Sequence, residues 1–343
     1  MCYYIERKKG DLSMYNDVLY TVNKKYLPIF LASLYSLIEN GNLDNLRIHL
    51  ITDGFDMEDF NKIHMIVDKF PGVKLNTYDL SVLNIESLNI PNWRGSQIAN
   101  ARLFINSILD LHDVSNLLYI DADTIIVGPL DELKEKYSKS VVCACLDGCS
   151  RKYGEELAGL DKYYNSGIIY FNVNKWIGIE AEDRIKHVIR TSDKEFRYPD
   201  QDIFNIALKN FITELPIEYN MGPYGYCLSE KQLEGYFREG NKNYGYNKVV
   251  AARKNTKILH SVGLFGIKPW TRNKVNPFND VFMEYLLKVD PTFQEEELPI
   301  IKKLFSFSPE LFYSIITLRS HIPEPLDKIT TSLNLKLQQT KKR

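Results

Sequence analysis

The chain has 343 residues, 44% hydrophobic and 25% charged. At roughly 150 residues per domain this allows one large or two smaller domains with a sizeable core, and it excludes a disordered, collagen-like or disulfide-scaffold chain. Lys and Arg number 43 and Asp and Glu 44, a formal net charge of -1 that lacks the basic excess of a dedicated nucleic-acid binder.

The predicted elements begin with Asp17 to Val22, an apolar run that reads as a buried first strand. Leu27, Phe30, Leu31, Leu34, Leu37 and Ile38 recur at helical spacing over 26–39, and Asn40-Gly41 ends that helix. Leu46 to Ile51 is a second strand, Asp56 to Phe70 a second helix and Val73 to Tyr78 a third strand. This order implies a parallel sheet with helices on its faces and ligands beyond the carboxyl ends of the strands, near Thr21-Val22-Asn23 and Thr52-Asp53-Gly54. Ile98 to Asp110 has a helical pattern. Leu117 to Ile120 is a short apolar strand running straight into Asp121-Ala122-Asp123. Gly167 to Phe171 reads as a strand, Asp200 to Lys209 as a helix and Lys257 to His260 as a short strand ending at a histidine. The Gly-, Tyr- and Asn-rich stretch 221–247 reads as loop. From about residue 276 the pattern turns helical, without a further chemical motif. The division is therefore a lead-in over 1–16, an α/β domain over 17–275 and a helical extension over 276–343.

Five cysteines show no disulfide spacing. Cys143, Cys145 and Cys149 lie in or just after an apolar run and read as reduced thiols on a strand, because a zinc site needs a second ligand pair at set spacing. Reduced thiols and a charged N-terminus without a signal-peptide pattern point to the cytoplasm. No run of 18 or more apolar residues offers a membrane span.

The chemistry centres on Asp121 and Asp123. Alternate residues of an extended chain share a side, so these two carboxylates can converge on one ion. Adjacent carboxylates repel unless a cation neutralises them, and their hard oxygens suit Mg²⁺ or Mn²⁺. Two enzyme classes end an apolar strand this way. Phosphatases of the haloacid dehalogenase type use Asp-x-Asp-x-Thr, which Asp121-Ala122-Asp123-Thr124 approaches with its Thr one position early, but there the motif opens the first strand. Here about 120 residues precede it. The other class is the nucleotide-sugar glycosyltransferases. A non-catalytic sugar-nucleotide sensor is the alternative if Asp200 and Gln201 point away from the donor.

Segments matching in order make the second class specific. They are Tyr20 to Tyr26, Ala99 to Leu103, Leu118 to Asp123, Tyr164 to Ile168 and Tyr198 to Asp202, closed by His260 to Gly263 leading to Lys268-Pro269-Trp270. Over roughly 17–275 the chain resembles glycosyltransferase family 8, which includes bacterial lipopolysaccharide galactosyltransferases and glycogenin. The resemblance implies an α/β GT-A fold, a Rossmann-like mixed sheet flanked by helices, with a helical C-terminal extension. It implies a retaining, Mn²⁺-dependent enzyme, with Mg²⁺ less favoured, that moves glucose or galactose from a UDP-hexose to a glycan or lipid-linked acceptor.

By motif position Asp121, Asp123 and His260 resemble the metal ligands. Thr21, Asn23 and Tyr26 match the uridine side; many relatives have Asp where Asn23 stands. Arg102 resembles an arginine that reaches the donor, and Ala122 is small enough for close approach of the ribose. Lys268 and Gly263 resemble the diphosphate contacts, although the longer spacing here leaves Gly263 and Gly266 as alternatives. Asn165, Asp200 and Gln201 match the sugar-side, catalytic positions. An amide is a poor nucleophile, so Gln201 implies front-face attack with stabilisation of an oxocarbenium-like state. In the extension, Leu311, Ile315 and Leu318 share a helical face beside Phe312, next to a basic tail. That pattern suits peripheral contact of 309–343 with an anionic inner membrane face, or docking on the domain.

Overall fold

The apolar runs form strands in the computed structural model, which describes residues 15–82, 90, 96–147, 151–237, 244–262, 267–271, 275–295 and 308–319. The strands are β1 (Asn16–Asn23), β2 (Leu46–Asp53), β3 (Lys74–Asp79), β4 (Asn116–Ile120), β5 (Thr124–Ile126), β6 (Val142–Leu146), β7 (Tyr164–Asn172), β8 (Ile212–Leu215) and β9 (Ile258–His260). Seven form one sheet in the order β3-β2-β1-β4-β7-β6-β8, and β5 pairs with β9 in a second. All neighbours in the large sheet are parallel except that β7 is antiparallel to both β4 and β6, so β7 runs against the other six strands.

Successive side chains of a strand point to opposite faces, and here both faces are buried. On one face Val18, Tyr20 and Leu118 pack with Phe30 and Leu34 of the helix Leu27–Asn40 and with Ile63 of the helix Met57–Val67. On the other, Leu19, Tyr119, Ile169 and Phe171 pack with Trp176, Ile185 and Phe204. Asp56, expected inside the second helix, is its N-cap, and it forms a capping box with Asp59.

Two expectations are corrected. Residues 98–110 do not form one helix: a 3-10 stretch, Ile98–Leu103, is followed by a single α turn, Ile105–Ile108. The break falls at Phe104, whose backbone (φ -126°, ψ 43°) leaves the helical region between the two pieces, and Arg102 Nε donates to the Ala99 carbonyl at 2.8 Å. The stretch 221–247 is not all loop. It holds helices Tyr224–Cys227 and Glu230–Phe237 and the start of Tyr246–Arg253, with 238–243 outside the described residues. Tyr224, Leu228, Leu233, Tyr244 and Val249 are buried in the core, an apolar spacing masked by the surrounding Gly and Asn.

Cys143 and Cys145 are buried on β6, as read, and burial pushes the Cys143 thiol up to about 11 and Cys145 well above its usual range. Cys149 lies outside the described residues. No helix among them is long and apolar enough to cross a membrane.

After residue 275 the chain continues to pack on what precedes it. The helix Asn279–Val289 sets Phe282, Tyr285 and Leu286, with Phe278 just before it, against Ile29 and Ala32 of the first long helix, Ile125 of β5 and Leu259 of β9. The helix Pro309–Arg319 buries Phe312 against Ile267 and Val275 and leaves Leu311 exposed. Phe312 and Leu311 therefore do not form one membrane-facing stripe. The side chains of Ile315 and Leu318, and residues 320–343, are outside the described set. Deleting the buried Phe282 ring removes apolar contact and leaves a cavity, so Phe282→Ala should lower stability by about 3–5 kcal/mol in denaturant unfolding. A loss within about 0.5 kcal/mol, the range of ordinary surface substitutions, would mean that this helix is not part of the core.

Candidate active site

The site is assembled at the carboxyl ends of β1 and β4. After β4 the chain turns sharply, and the Asp121 carbonyl accepts from Thr124 Oγ1 at 2.9 Å as β5 begins. The two carboxylates therefore converge through a turn and not through strand alternation. β9 lies antiparallel to β5 with His260 opposite Thr124, and the Ser261 N–H donates to the Asp123 carbonyl at 3.0 Å. This pairing puts His260 Nε2 3.5 Å from Asp121 Oδ2 and 3.3 Å from Asp123 Oδ1. Ligand atoms of Asp121, Asp123 and His260 all lie within 4.8 Å of one another, the one such group of potential metal ligands among the described residues.

The reversed β7 delivers the next set. Its amino end reaches past the carboxyl end of β4, so the Gly167 carbonyl accepts from the Asp121 N–H at 2.8 Å. Asn165, Ser166 and Gly167 thus lie beside the carboxylate pair. A Cβ on Gly167 would fall 2.2 Å from His260 Cε1 and 2.7 Å from Asp121 Oδ2, so only glycine admits the imidazole here.

A directed chain of hydrogen bonds links the histidine to the sugar-side residues. Asn220 Nδ2 donates to Asn165 Oδ1 at 2.8 Å, which identifies Asn220 Oδ1 as the acceptor from His260 Nδ1, also at 2.8 Å. With its proton on Nδ1, the neutral imidazole turns the Nε2 lone pair toward the two carboxylates, the arrangement of a metal-ligating histidine. Asn165 Nδ2 donates to Gln201 Oε1 at 3.1 Å and to Asp147 Oδ2 at 3.3 Å, and Gln201 Nε2 donates to Asp147 Oδ2 at 3.1 Å. Gln201 Oε1 also accepts from the Ser166 N–H at 3.0 Å. Gln201 and Asp200 stand in the first turn of the helix Pro199–Leu208, where acids favour the positive helix end. Asp200 Oδ2 accepts from Ser166 Oγ at 2.7 Å.

Positive charge meets this acidity at two fixed points. Arg102, 5% exposed, puts Nη2 2.9 Å from Asp121 Oδ1 and Nε 3.5 Å from Asp200 Oδ2, and Nη1 donates to the Ser166 carbonyl at 2.8 Å. Its guanidinium also lies 4.4 Å over the Tyr119 ring, whose hydroxyl donates to Asp121 Oδ1 at 2.5 Å. Lys268 Nζ donates to Asp123 Oδ2 at 2.6 Å and to the Ser261 carbonyl at 3.0 Å. Burial would raise both aspartates, but Arg102 and His260 hold Asp121 below its usual range, and Lys268 and His260 hold Asp123 far below. Burial would lower His260, yet the hydrogen bonds and charges of Asp121 and Asp123 outweigh it and lift the imidazole to about 9. In the cation-free protein, three positive groups (Arg102, Lys268 and the His260 imidazolium) face Asp121, Asp123 and Asp200.

Of the residues singled out from sequence, Asp121, Asp123, His260, Lys268, Arg102, Asn165, Asp200 and Gln201 come together in this network. Ala122 is buried within the turn. Thr21 sits at its edge, with Oγ1 3.1 Å from the Tyr119 hydroxyl. Arg102 is engaged with carboxylates and carbonyls of the chain itself. Asn23 is an N-cap whose Oδ1 accepts from the Tyr26 N–H at 3.2 Å, and the Tyr26 ring meets Trp270 edge-on with centroids 6.2 Å apart. Gly263 and Gly266 lie outside the described residues. Sequence reasoning missed Tyr119, Asp147, Ser166, Gly167 and Asn220 as participants. Asp147 follows the apolar β6, so the strand-end rule that found Asp121 reaches it as well. Nothing local marks Asn220.

The comparisons agree with this geometry. The family description glycosyl transferase family 8 matches residues 17–274. A lipopolysaccharide 1,2-glucosyltransferase of Escherichia coli (strain K12) is 26% identical over 270 residues, covering 76% of this chain and 74% of that protein. A lipopolysaccharide 1,3-galactosyltransferase of Salmonella typhimurium (strain LT2) is 22% identical over 230 residues, covering 62% of this chain and 67% of its own. Among solved structures, the galactosyltransferase LgtC in complex with donor and acceptor sugar analogs superposes with a TM-score of 0.65 at 19% identity, over 82% of this chain and 98% of that one. The bifunctional glycosyltransferase WbbM gives the same TM-score of 0.65 at 21% identity over 87% of this chain, which spans only 52% of WbbM. The fold is that of the GT-A glycosyltransferases. The chain belongs to glycosyltransferase family 8, and the phosphatase reading of Asp121 is set aside.

The donor set of two carboxylates and one oriented imidazole fits a divalent first-row cation. Because that fit depends on the bare α-carbon of Gly167, Gly167→Ala should weaken divalent-cation binding about tenfold or more, the scale of a lost outer-shell support. Calorimetric titration of the folded variant checks this; affinity equal to that of the unsubstituted protein would contradict it.

Proposed function

We propose that the protein is a retaining hexosyltransferase that moves glucose or galactose from a UDP-sugar to a glycan or lipid-linked saccharide, forming an α-linkage with Mn²⁺ as cofactor. The observation that carries this reading is the unbroken hydrogen-bonded chain from His260 through Asn220 and Asn165 to Gln201, which ties the ligand triad to the sugar-side residues. A sensor whose Asp200 and Gln201 turned away from the donor would lack this continuity.

Asp121, Asp123 and His260 would hold the cation, the imidazole favouring Mn²⁺ over Mg²⁺. When bound, the cation supplies positive charge to the departing diphosphate. Lys268, with Gly263 or Gly266, addresses the diphosphate, and Thr21, Asn23 and Tyr26 the uridine. With Asn23 Oδ1 already capping, its amide N–H groups and second lone pair remain for the base. Asp200 and Asn165 read sugar hydroxyls. Gln201 Oε1 already accepts two hydrogen bonds, which fits a fixed dipole near the anomeric carbon better than a nucleophile. The bond from the anomeric carbon to the UDP oxygen breaks while the acceptor oxygen bonds on the same face, and the acceptor proton passes to the departing UDP oxygen. The reading places the enzyme in the cytoplasm. Any contact of 309–343 with an anionic inner leaflet would not use Phe312, which packs on Ile267 and Val275.

A screen of UDP-sugars with Mn²⁺ should give UDP release with UDP-glucose or UDP-galactose and none in EDTA. Asp123→Asn should lose several orders of magnitude in rate, each tenfold being about 1.4 kcal/mol of barrier. Undiminished release by that variant in EDTA would overturn the reading.

A further inference from the structure

Lys268 is delivered by a segment that is neither strand nor helix, so something must fix where its ammonium stands. The neighbouring carbonyls show what does. The Ile267 carbonyl accepts from Asn276 Nδ2 at 2.9 Å, and the Pro269 carbonyl accepts from Asn279 Nδ2 at 2.6 Å. Asn276 is 2% exposed and Asn279 5%. One residue on either side of Lys268 is thus pinned by a buried amide.

Both asparagines belong to the start of the helix Asn279–Val289. Asn276 Oδ1 accepts from the Phe278 N–H at 3.0 Å, and the Asn276 carbonyl accepts from the Asn279 N–H at 3.0 Å. That helix rests on Ile125 and Leu259, which stand two residues after Asp123 and one before His260. A rigid path therefore runs from the β5–β9 pair through the helix to the two amides and on to Lys268. Trp270 braces the segment from the uridine side, against Tyr26 and against Phe282 at 5.8 Å between centroids, with Lys268 Nζ 5.4 Å over its own ring. On the far side Phe312 packs on Ile267 and Val275, and Tyr313 OH donates to the Val275 carbonyl at 2.9 Å.

We propose that Asn276 and Asn279 are positioning residues for Lys268, through which the helix Asn279–Val289 sets how tightly the donor diphosphate is held. The inference rests on Lys268 being a diphosphate contact. It assigns the region after 275 a part in donor binding that its lack of chemical motifs conceals. A carbonyl freed from its amide lets the lysine backbone shift, and an ammonium a fraction of an ångström out of place loses much of a charge-assisted hydrogen bond.

The test uses the full chain with Mn²⁺, reading UDP and uridine affinities for Lys268→Ala, Asn279→Ala, Asn276→Ser and each asparagine variant combined with Lys268→Ala. Serine keeps an acceptor for the Phe278 N–H but is too short to reach Ile267, so the helix start should survive even where Asn279→Ala fails to fold. Each folded asparagine variant should bind UDP about tenfold more weakly, on the scale of one lost hydrogen bond to a charged group, with uridine affinity unchanged. Added to Lys268→Ala, it should cost nothing further, because both act through the same ammonium. Unchanged UDP affinity in the folded variants, or losses that add to that of Lys268→Ala, would overturn the positioning role while leaving Lys268 a diphosphate contact. Unchanged UDP affinity in Lys268→Ala itself would instead overturn the reading beneath it, and the inference with it.

Discussion

Two carboxylates one residue apart in a partly buried turn repel each other unless positive charge is brought to them. Much of the site's construction answers that requirement at Asp121 and Asp123. Arg102 supplies a charge that cannot be titrated away, and it reaches Asp121 and Asp200 together. Lys268 supplies a second at Asp123. The third is conditional, because His260 carries a proton only while no other cation claims its Nε2. The two fixed charges keep the carboxylates ionised at neutral pH, and the removable one leaves a place that a divalent ion fits.

The topology follows from the same need. Six strands running together would bring only their carboxyl ends to the site. Reversing β7 brings an amino end there, so that backbone and side chains of Asn165 to Gly167 meet Asp121 directly. The small β5–β9 sheet carries Asp123 and His260 to within reach of each other although 137 positions separate them. Glycine at 167 is then a steric requirement of the junction, since the imidazole occupies the volume of a Cβ. The buried asparagines act as oriented connectors. Each has a donor and an acceptor end, and Asn220 uses both to fix the histidine tautomer and to pass the direction of the chain to Asn165.

What was legible in the sequence is what local pattern encodes. Apolar runs located β1, β2, β4 and β9, and two carboxylates closing an apolar strand marked Asp121 and Asp123. The ordered motifs joined His260, Lys268, Asn165, Asp200 and Gln201 to them. Each failure has its own physical cause. The break between Ile98–Leu103 and Ile105–Ile108 lies in the backbone of Phe104, an apolar residue that fits the helical periodicity. Asn220 stands 40 residues from the histidine that it orients, with no surrounding motif. Gly167 lies inside a quoted motif, but its reason is a distance to a residue on another sheet. The helices within 221–247 were hidden by Gly and Asn although their buried side chains belong to the main core.

A divalent cation bound between Asp121, Asp123 and His260 would compete with the His260 proton, and calorimetric titration of Mn²⁺ into the metal-free protein tests for that competition. The folded-state pKa of His260 is raised to about 9, so below that value the cation must expel a proton, and above it none remains to be expelled. Titrations between about pH 6 and 8, in buffers of different ionisation enthalpy, should show close to one proton released per cation bound. Affinity should rise by up to about tenfold per pH unit, flattening as pH approaches the imidazole pKa. A pH-independent affinity with no proton release would contradict the account, because cation and imidazole proton would then not be competing for one position.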